Sequence, residues 1–521
     1  MQDRAKLIFG CDTRSLAVFR IAIAVLVLCD VCVRYGSAAS FYSDSGFFDR
    51  SLAKELSPGA YSLNYLSGAV GFQKGIFVGL GFFALLLGFG FYTRLATLGC
   101  WLLLASIHVR NPMYLIGGDT LLRMLLFWSL FIPLGRVWSI DWWRTTKKTD
   151  QVKPKAATTS LVCSVGTACL LLQVCLMYWT AGCSKLNEPW LDGSAMDYIL
   201  RLDCYSRPLS AWLLQFNWLT SMLTRSTLVI ELLLPLLLFV PYKTAEIRIL
   251  MLALFWSFHL GIDLTMDVGN FTYVSMAAWL PFLPSAFWQR WAWTKWPLMG
   301  AGQCCPEGEA GESVYRRWRS PFLTVALPLT LLVYVTVWNF AGLYGGPGNT
   351  WRERNPDHFY RFGSVTMLNQ NFQMFGIPAR ANTTYLFSGR LNDGSRVDLV
   401  RNQPANETGP GAPLSNAREW KTLHWYLISL GAERKLYESL LAYHSLAWNR
   451  VADRNHQVIE SRLEIFVEDL GPGIEPGSFV HTRDLAEWTN PTQSDASDEQ
   501  LKQDFDQLMD QLENGGLFPF Q

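Results

Sequence analysis

The sequence predicts a mainly α-helical, polytopic transmembrane bundle of about nine spans, followed by a C-terminal extracytoplasmic α+β domain containing a β-hairpin. Three observations predict it. Half of the residues are hydrophobic and 17% are charged, against about 25% charged in an ordinary soluble domain. The deficit is uneven. Long apolar runs dominate residues 15–343, whereas Asp, Glu, Arg and Asn are spread through 344–521. The 22 tryptophans and 19 tyrosines suit membrane interfaces, where amphipathic rings settle at headgroup depth. The chain therefore divides into a helical domain, 10–343, and a soluble domain, 344–521.

A crossing helix needs about 20 mostly apolar residues. Nine runs qualify: 15–34, 75–92, 95–109, 113–134, 159–183, 226–243, 247–267, 271–288 and 321–343. No small-residue cleavage site follows residues 16–33, so that run reads as a retained span. Segments 137–147 and 207–222 are rich in Trp and Leu but interrupted by polar groups, and read as interfacial. Positive charge gathers at Arg4, Lys6 and Arg14, at 136–155, at Lys243 and Arg248, and at 290–319. Nine crossings put all four groups on one side, which the positive-inside rule makes the cytoplasm. A cell-membrane protein with a cytoplasmic N-terminus and an external 344–521 is expected.

In the soluble part, two alternating runs flank Asn392-Asp393-Gly394, a strong turn signal, so 384–401 reads as a hairpin. Residues 459–467 alternate as a strand, and 417–449 have helical spacing. Leu501, Phe505, Leu508 and Leu512 predict an amphipathic helix. Residues 402–415 read as a loop. All 11 cysteines precede Pro306, so no disulfide framework holds this part. Cys29 and Cys32 read as packing thiols within an apolar helix. A net charge of +1 without a basic, aromatic stripe argues against nucleic acid. No spacing suggests a metal site.

Ionisable groups at membrane depth are costly and mark candidate sites. Lys185 closes the fifth run after Tyr178-Trp179-Thr180-Ala181-Gly182-Cys183-Ser184, with Trp190, Asp192 and Gly193 following. In an apolar pocket a lysine loses its proton more easily and can serve as a general base; the bland reading is a snorkelling helix-end lysine. His259, Asp263 and Asp267 share a helix face at i, i+4 and i+8, suited to a proton relay or simply to polar packing. Glu231 is a lone carboxylate in the sixth run and needs a partner. His108, Asn111, Gly117-Gly118, Asp119 and Arg123 form a further set. There Asp119 and Arg123 can pair at i, i+4, and the glycines permit close helix or ligand approach. Arg20 and Asp30, ten residues apart, are expected to pair with other helices.

These residues resemble the vitamin K-dependent γ-carboxylase family and its bacterial relatives, the horizontally transferred transmembrane (HTTM) domain proteins. The resemblance rests on Ala181-Gly182-x-x-Lys185-Leu186 with Trp190-x-x-Gly193, on Glu231, and on Phe258-His259 through Phe271-x-Tyr273. Asp12-x-x-Ser15-Leu16-x-x-Phe19-Arg20, the 108–123 block and Gln370-Asn371-Phe372-Gln373-Met374-Phe375 extend it. It implies that Lys185 deprotonates a reduced vitamin K-type quinone, which reacts with O2 to an epoxide while CO2 adds to a protein or peptide glutamate. That would make the chain a lyase-type carboxylase/epoxidase. Lys185, His259 and Glu231 would be catalytic, and His108, Asn111, Asp119, Arg123, Trp190 and Asp263 would bind substrate. Two departures stand out. The animal enzymes carry two lysines where this chain has Ser184-Lys185, and their outer domain is much longer.

Two other readings are open. A non-enzymatic quinone- or lipid-binding protein, or a redox-partner subunit, predicts Lys185 paired with a carboxylate and no cavity. The enzyme predicts an apolar cavity around Lys185 with His259 and Glu231 or Asp119 nearby. A transporter would need broken helices in paired halves, which the sequence does not display.

Overall fold

The computed structural model describes residues 2–57, 59–147, 161–290, 320–343, 357–405, 434–470 and 480–490. Among the described residues, nine helices build the bundle: α1 (Thr13–Gly36), α2 (Val70–Phe89), α3 (Thr93–Arg110), α4 (Gly117–Ser129), α5 (Val165–Ser184), α6 (Asn217–Leu232), α7 (Thr244–Thr265), α8 (Phe271–Ala278) and α9 (Leu327–Leu343). Local chemistry sets their starts. Asp12 accepts from the Arg14 amide and caps α1, and Ser164 with Thr167 forms a reciprocal capping box on α5. On α1, Leu16, Phe19, Ile23 and Val27 are buried, while Ile21, Val25 and Val33 face outward. A helix apolar on both faces belongs in lipid.

Among the described residues, six helices are long and apolar enough to cross a membrane: Thr13–Gly36, Val70–Phe89, Val165–Ser184, Asn217–Phe239, Thr244–Thr265 and Phe322–Leu343. Length and composition thus support six of the nine expected crossings. The other three differ for visible reasons. α4 has 13 residues and α8 has 8, or roughly 20 and 12 Å at 1.5 Å per residue, against a hydrocarbon core about 30 Å thick. Turns interrupt the runs that contain them, including a 3-10 turn at Leu280–Phe282. α3 carries Arg94, His108 and Arg110 near its ends. The reading of 207–222 as interfacial also changes. Its second half opens α6, which continues through a 3-10 turn to Phe239.

Two further expectations are corrected. Cys29 and Cys32 lie on the outside of α1, exposed rather than packed. Asp30 pairs with Arg34 on its own helix at 2.8 Å, because four residues place the two side chains on one face. Arg20 does reach other elements: it donates to the carbonyls of Leu134, Trp138 and Gly88.

Beyond α9, helix Asp357–Thr366 leads into residues 367–376, which cross the bundle without regular structure. An antiparallel sheet follows in the order β3-β2-β1-β4-β5, made of β1 (Ala381–Leu391), β2 (Arg396–Asp398), β3 (Gln403–Pro404), β4 (Val458–Asp469) and β5 (Val480–Thr489). The expected hairpin is β1–β2, turning at Gly394 with φ +87°, a conformation that favours glycine. The expected strand at 459–467 is β4. Helix Arg434–Val451 lays Leu436, Leu440 and Leu441 into a core shared with Tyr385, Phe387 and Leu463. The anticipated helix at 501–512, residues 417–433 and most of the 402–415 loop lie outside the described residues.

Candidate functional site

Lys185 caps the C-terminus of α5, where helix geometry ends and the side chain can turn inward. It is 3% exposed. Its Nζ donates to Glu231 Oε2 at 2.8 Å and Oε1 at 3.1 Å, and to the Ala181 carbonyl at 3.3 Å. Glu231 sits on α6, which approaches α5 at Gly182: a Cβ there would lie 3.2 Å from the Cβ of Glu231. The Trp190 ring lies 5.3 Å from Nζ, a cation–π distance. The lysine is therefore not snorkelling. It is a buried, doubly engaged ammonium, and such a pair is tolerated in low dielectric because each charge compensates the other.

Seven residues before Lys185, two turns along the same face of α5, stands Tyr178. Its hydroxyl lies 2.6 Å from His259 Nε2 on α7 and accepts from Trp279 Nε1 at 2.9 Å. Tyr178, Lys185, Glu231, His259 and Trp190 line one cavity of about 60 Å³, whose other walls are apolar apart from Thr227. That volume exceeds what one water needs, about 10–15 Å³.

Met374 and Phe375 form part of that wall. They belong to the 367–376 segment, whose carbonyls are captured by side chains of the bundle. Arg123 donates to Asn369 O at 2.6 Å and Trp338 to Gln370 O at 2.8 Å. Trp190 donates to Phe375 O at 2.9 Å and Asn187 to Gly376 O at 2.7 Å. Deeper in, Gln173 joins Trp128 to the Gln370 side chain. A segment with no ladder of its own thus has backbone acceptors satisfied by the bundle. Trp190 serves twice, as a ring over Lys185 and as a donor to this 367–376 strap.

The other expected substrate-binding residues lie elsewhere. Asp119 meets Arg34 at 2.8 Å and accepts from Asn270 at 3.2 Å, rather than forming the expected pair with Arg123. Arg123 reaches His108 Nδ1 at 3.2 Å and the strap. Asn111 donates to Phe41 O and holds the Met113 amide. These four knit helix ends together and do not line this cavity. Gly118 explains its glycine: a Cβ would meet Asn270 Oδ1 at 2.2 Å and the Phe271 backbone at 2.8 Å, so the close approach is of α4 to α8. Asp263 points away from the cavity toward Arg207 at 3.5 Å and the Tyr273 hydroxyl at 3.2 Å. Four residues advance a helix by about 400°, and the excess of about 40° carries Asp263 off the face of His259.

Sequence reasoning placed Lys185, Glu231, His259 and Trp190 together and missed the roles of Tyr178, Trp279, Met374 and Phe375. Tyr178 carried a usable signal, the i−7 spacing from Lys185. Met374 and Phe375 stood in a segment that extended the resemblance, but their place in the wall, like the contact of Trp279, is long-range and not readable from spacing.

A family model described as the HTTM domain matches residues 10–288, more than half of the chain. The chain belongs to the HTTM domain family. The match covers α1 to α8 and so contains Lys185, Glu231, His259, Tyr178 and Trp279 of this HTTM protein. It ends before α9 and before the strap that supplies Met374 and Phe375. No curated protein and no solved structure matches the chain.

Proposed function

We propose that this HTTM protein oxidises a reduced vitamin K-type quinone in its membrane bundle, with Lys185 as the general base. The observation that carries the reading is Lys185 buried in the wall of a largely apolar cavity with a carboxylate partner, Glu231, at 2.8 Å. For Lys185 to act as a base its ammonium must first lose a proton, and Glu231 is the acceptor within reach. The neutral amine then takes the proton of a quinol hydroxyl. Apolar walls suit the ring of such a substrate and keep water from a strong base. Bound quinol with O2 supplies the oxidising chemistry that yields the epoxide. Coupling to CO2 and a peptide glutamate is the further step that the carboxylase resemblance implies.

The ion pair itself favours a second reading. A lysine already neutralised by a carboxylate is a stable structural pair, and a non-enzymatic quinone- or lipid-binding protein, or a redox-partner subunit, would hold one. The cavity beside it favours the enzyme. The bundle on either reading crosses the membrane nine times, N-terminus inside and sheet domain outside. Supporting this, the C-terminal ends of α1 and α3 meet the N-terminal part of α4 through Arg34–Asp119 and His108–Arg123, as alternating crossings require.

The test is incubation of the purified full chain with reduced vitamin K, O2, labelled CO2 and a glutamate peptide, beside Lys185→Ala. Epoxide from the wild type and none from the variant is expected. A wild type that consumes no quinol removes the enzymatic reading; epoxide without labelled peptide removes only the carboxylation.

A further inference from the structure

The cavity holds a second polar feature, opposite in character to the Lys185–Glu231 pair, and its protonation can be deduced by counting donors. Trp279 Nε1 can only donate, so the Tyr178 oxygen accepts from it at 2.9 Å. The remaining neighbour of that oxygen is His259 Nε2 at 2.6 Å. If the phenol donates its proton to Nε2, the imidazole carries its own proton on Nδ1. If Nε2 donated instead, the phenol would accept twice. Its own proton would then lack an acceptor, and Nδ1 would be a bare lone pair in an apolar wall. The first arrangement leaves one unmet group and the second leaves two, and unmet buried polar groups are what folded chains avoid. Neither ring nitrogen meets a carboxylate among the described residues, so the ring is neutral.

His259 is 1% exposed, lines the cavity, and its Nδ1 has no hydrogen-bond partner among the described residues. We propose that Tyr178 and Trp279 hold His259 as its Nδ1–H tautomer, and that this N–H binds an acceptor oxygen of the ring ligand, a quinone carbonyl or quinol oxygen. The inference rests on the quinone reading above and deepens it. His259 is the residue that touches the ligand; Tyr178 and Trp279 are positioning residues acting through it. The ligand is then gripped from two sides, by the lysine that exchanges a proton and by a neutral donor that does not.

The test uses the full chain in lipid nanodiscs with tetramethyl-1,4-benzoquinone, a single-ring quinone with no free ring position for thiols to attack. Difference infrared spectroscopy reads its carbonyl stretch. In the wild type one carbonyl band is expected at lower wavenumber than in lipid alone. Tyr178→Phe frees the tautomer and is expected to lose that shift and weaken binding about threefold to tenfold. His259→Leu loses it as well. His259→Asn keeps an N–H near the place of Nδ1 and is expected to retain it, which separates lost donation from lost folding. Equal bands in wild type and Tyr178→Phe, or in wild type and His259→Leu, overturn the proposal, as does failure of the quinone to bind the wild type. A His259-dependent shift without quinol consumption would remove the Lys185 reading and leave this one. Consumption without the shift would do the reverse.

Discussion

Lys185 at the end of α5 and Glu231 on α6 meet at 2.8 Å across 46 residues of sequence. Neither side chain is more than 8% exposed. Removing one partner of such a pair strands a charge and costs about 3–5 kcal/mol, whereas replacing both with apolar residues of similar volume is close to neutral. Lys185→Ala and Glu231→Leu should each lower the melting temperature, and Lys185→Met with Glu231→Leu should restore it. Thermal melts in detergent check this. A double variant no more stable than either single one would show that the charges are not coupled. Quinol consumption should stay absent in all three.

Gly118 sits where α4 touches α8. An alanine there meets backbone atoms of Phe271, which cannot rotate away. Gly118→Ala should destabilise the bundle by about 1–3 kcal/mol. Gly261→Ala on α7, where nothing lies within 4 Å, should be neutral or stabilising, since alanine is the better helix former. Parallel denaturation of the two variants decides the matter, and equal losses would contradict the packing argument.

Trp190→Phe keeps a ring beside Lys185 but removes the donor to the Phe375 carbonyl. A lost hydrogen bond of about 1 kcal/mol should speed amide exchange at 370–377 by roughly fivefold, with the β1–β4 ladder unchanged. Exchange that is unaltered at the strap would mean that Trp190 does not hold it.

The sheet domain should be acid-sensitive. His444 is buried in helix Arg434–Val451, its ring centre 5.1 Å from that of Phe387. Burial pushes its pKa from 6.5 down to about 3. The folded state therefore refuses a proton that the unfolded chain takes up below about pH 6.5. Stability from this residue is full above that pH and falls progressively toward pH 3. Amide exchange of β1 and β4 at pH 7.5 and 5 should show the loss, and His444→Leu should flatten it. A slope unchanged in that variant would assign the acid sensitivity to other groups.

Much of this was legible in the sequence, and the parts that were not share a cause. Apolar runs located α1, α2, α5, α7 and α9, because burial and lipid exposure act on every residue of a crossing helix. At α4 and α8 length and composition alone do not mark a crossing, since a hydropathy average passes over the turns that break those runs. Asn392-Asp393-Gly394 announced its hairpin because only local backbone geometry is at stake. Lys185, Glu231, His259 and Trp190 stood out as polar or aromatic groups near a motif. Partners were harder. Asp119 has Arg123 one turn away yet takes Arg34, and Asp30 takes Arg34 as well. Which of several nearby charges wins depends on how helices cross, and spacing along one helix does not contain that.

The strap gives the protein an unequal division of labour along its chain. The family-defining stretch ends at residue 288, yet one wall of the chamber beside Lys185 is delivered by residues 374 and 375. Relatives that share the bundle can therefore keep Lys185, Glu231 and His259 and still differ in the shape of this wall, simply by exchanging the segment that supplies it. Part of the wall beside Lys185 is thus written downstream of the stretch that makes the chain recognisable, and a protein trimmed to that stretch would keep Lys185 and Glu231 without the side chains of Met374 and Phe375.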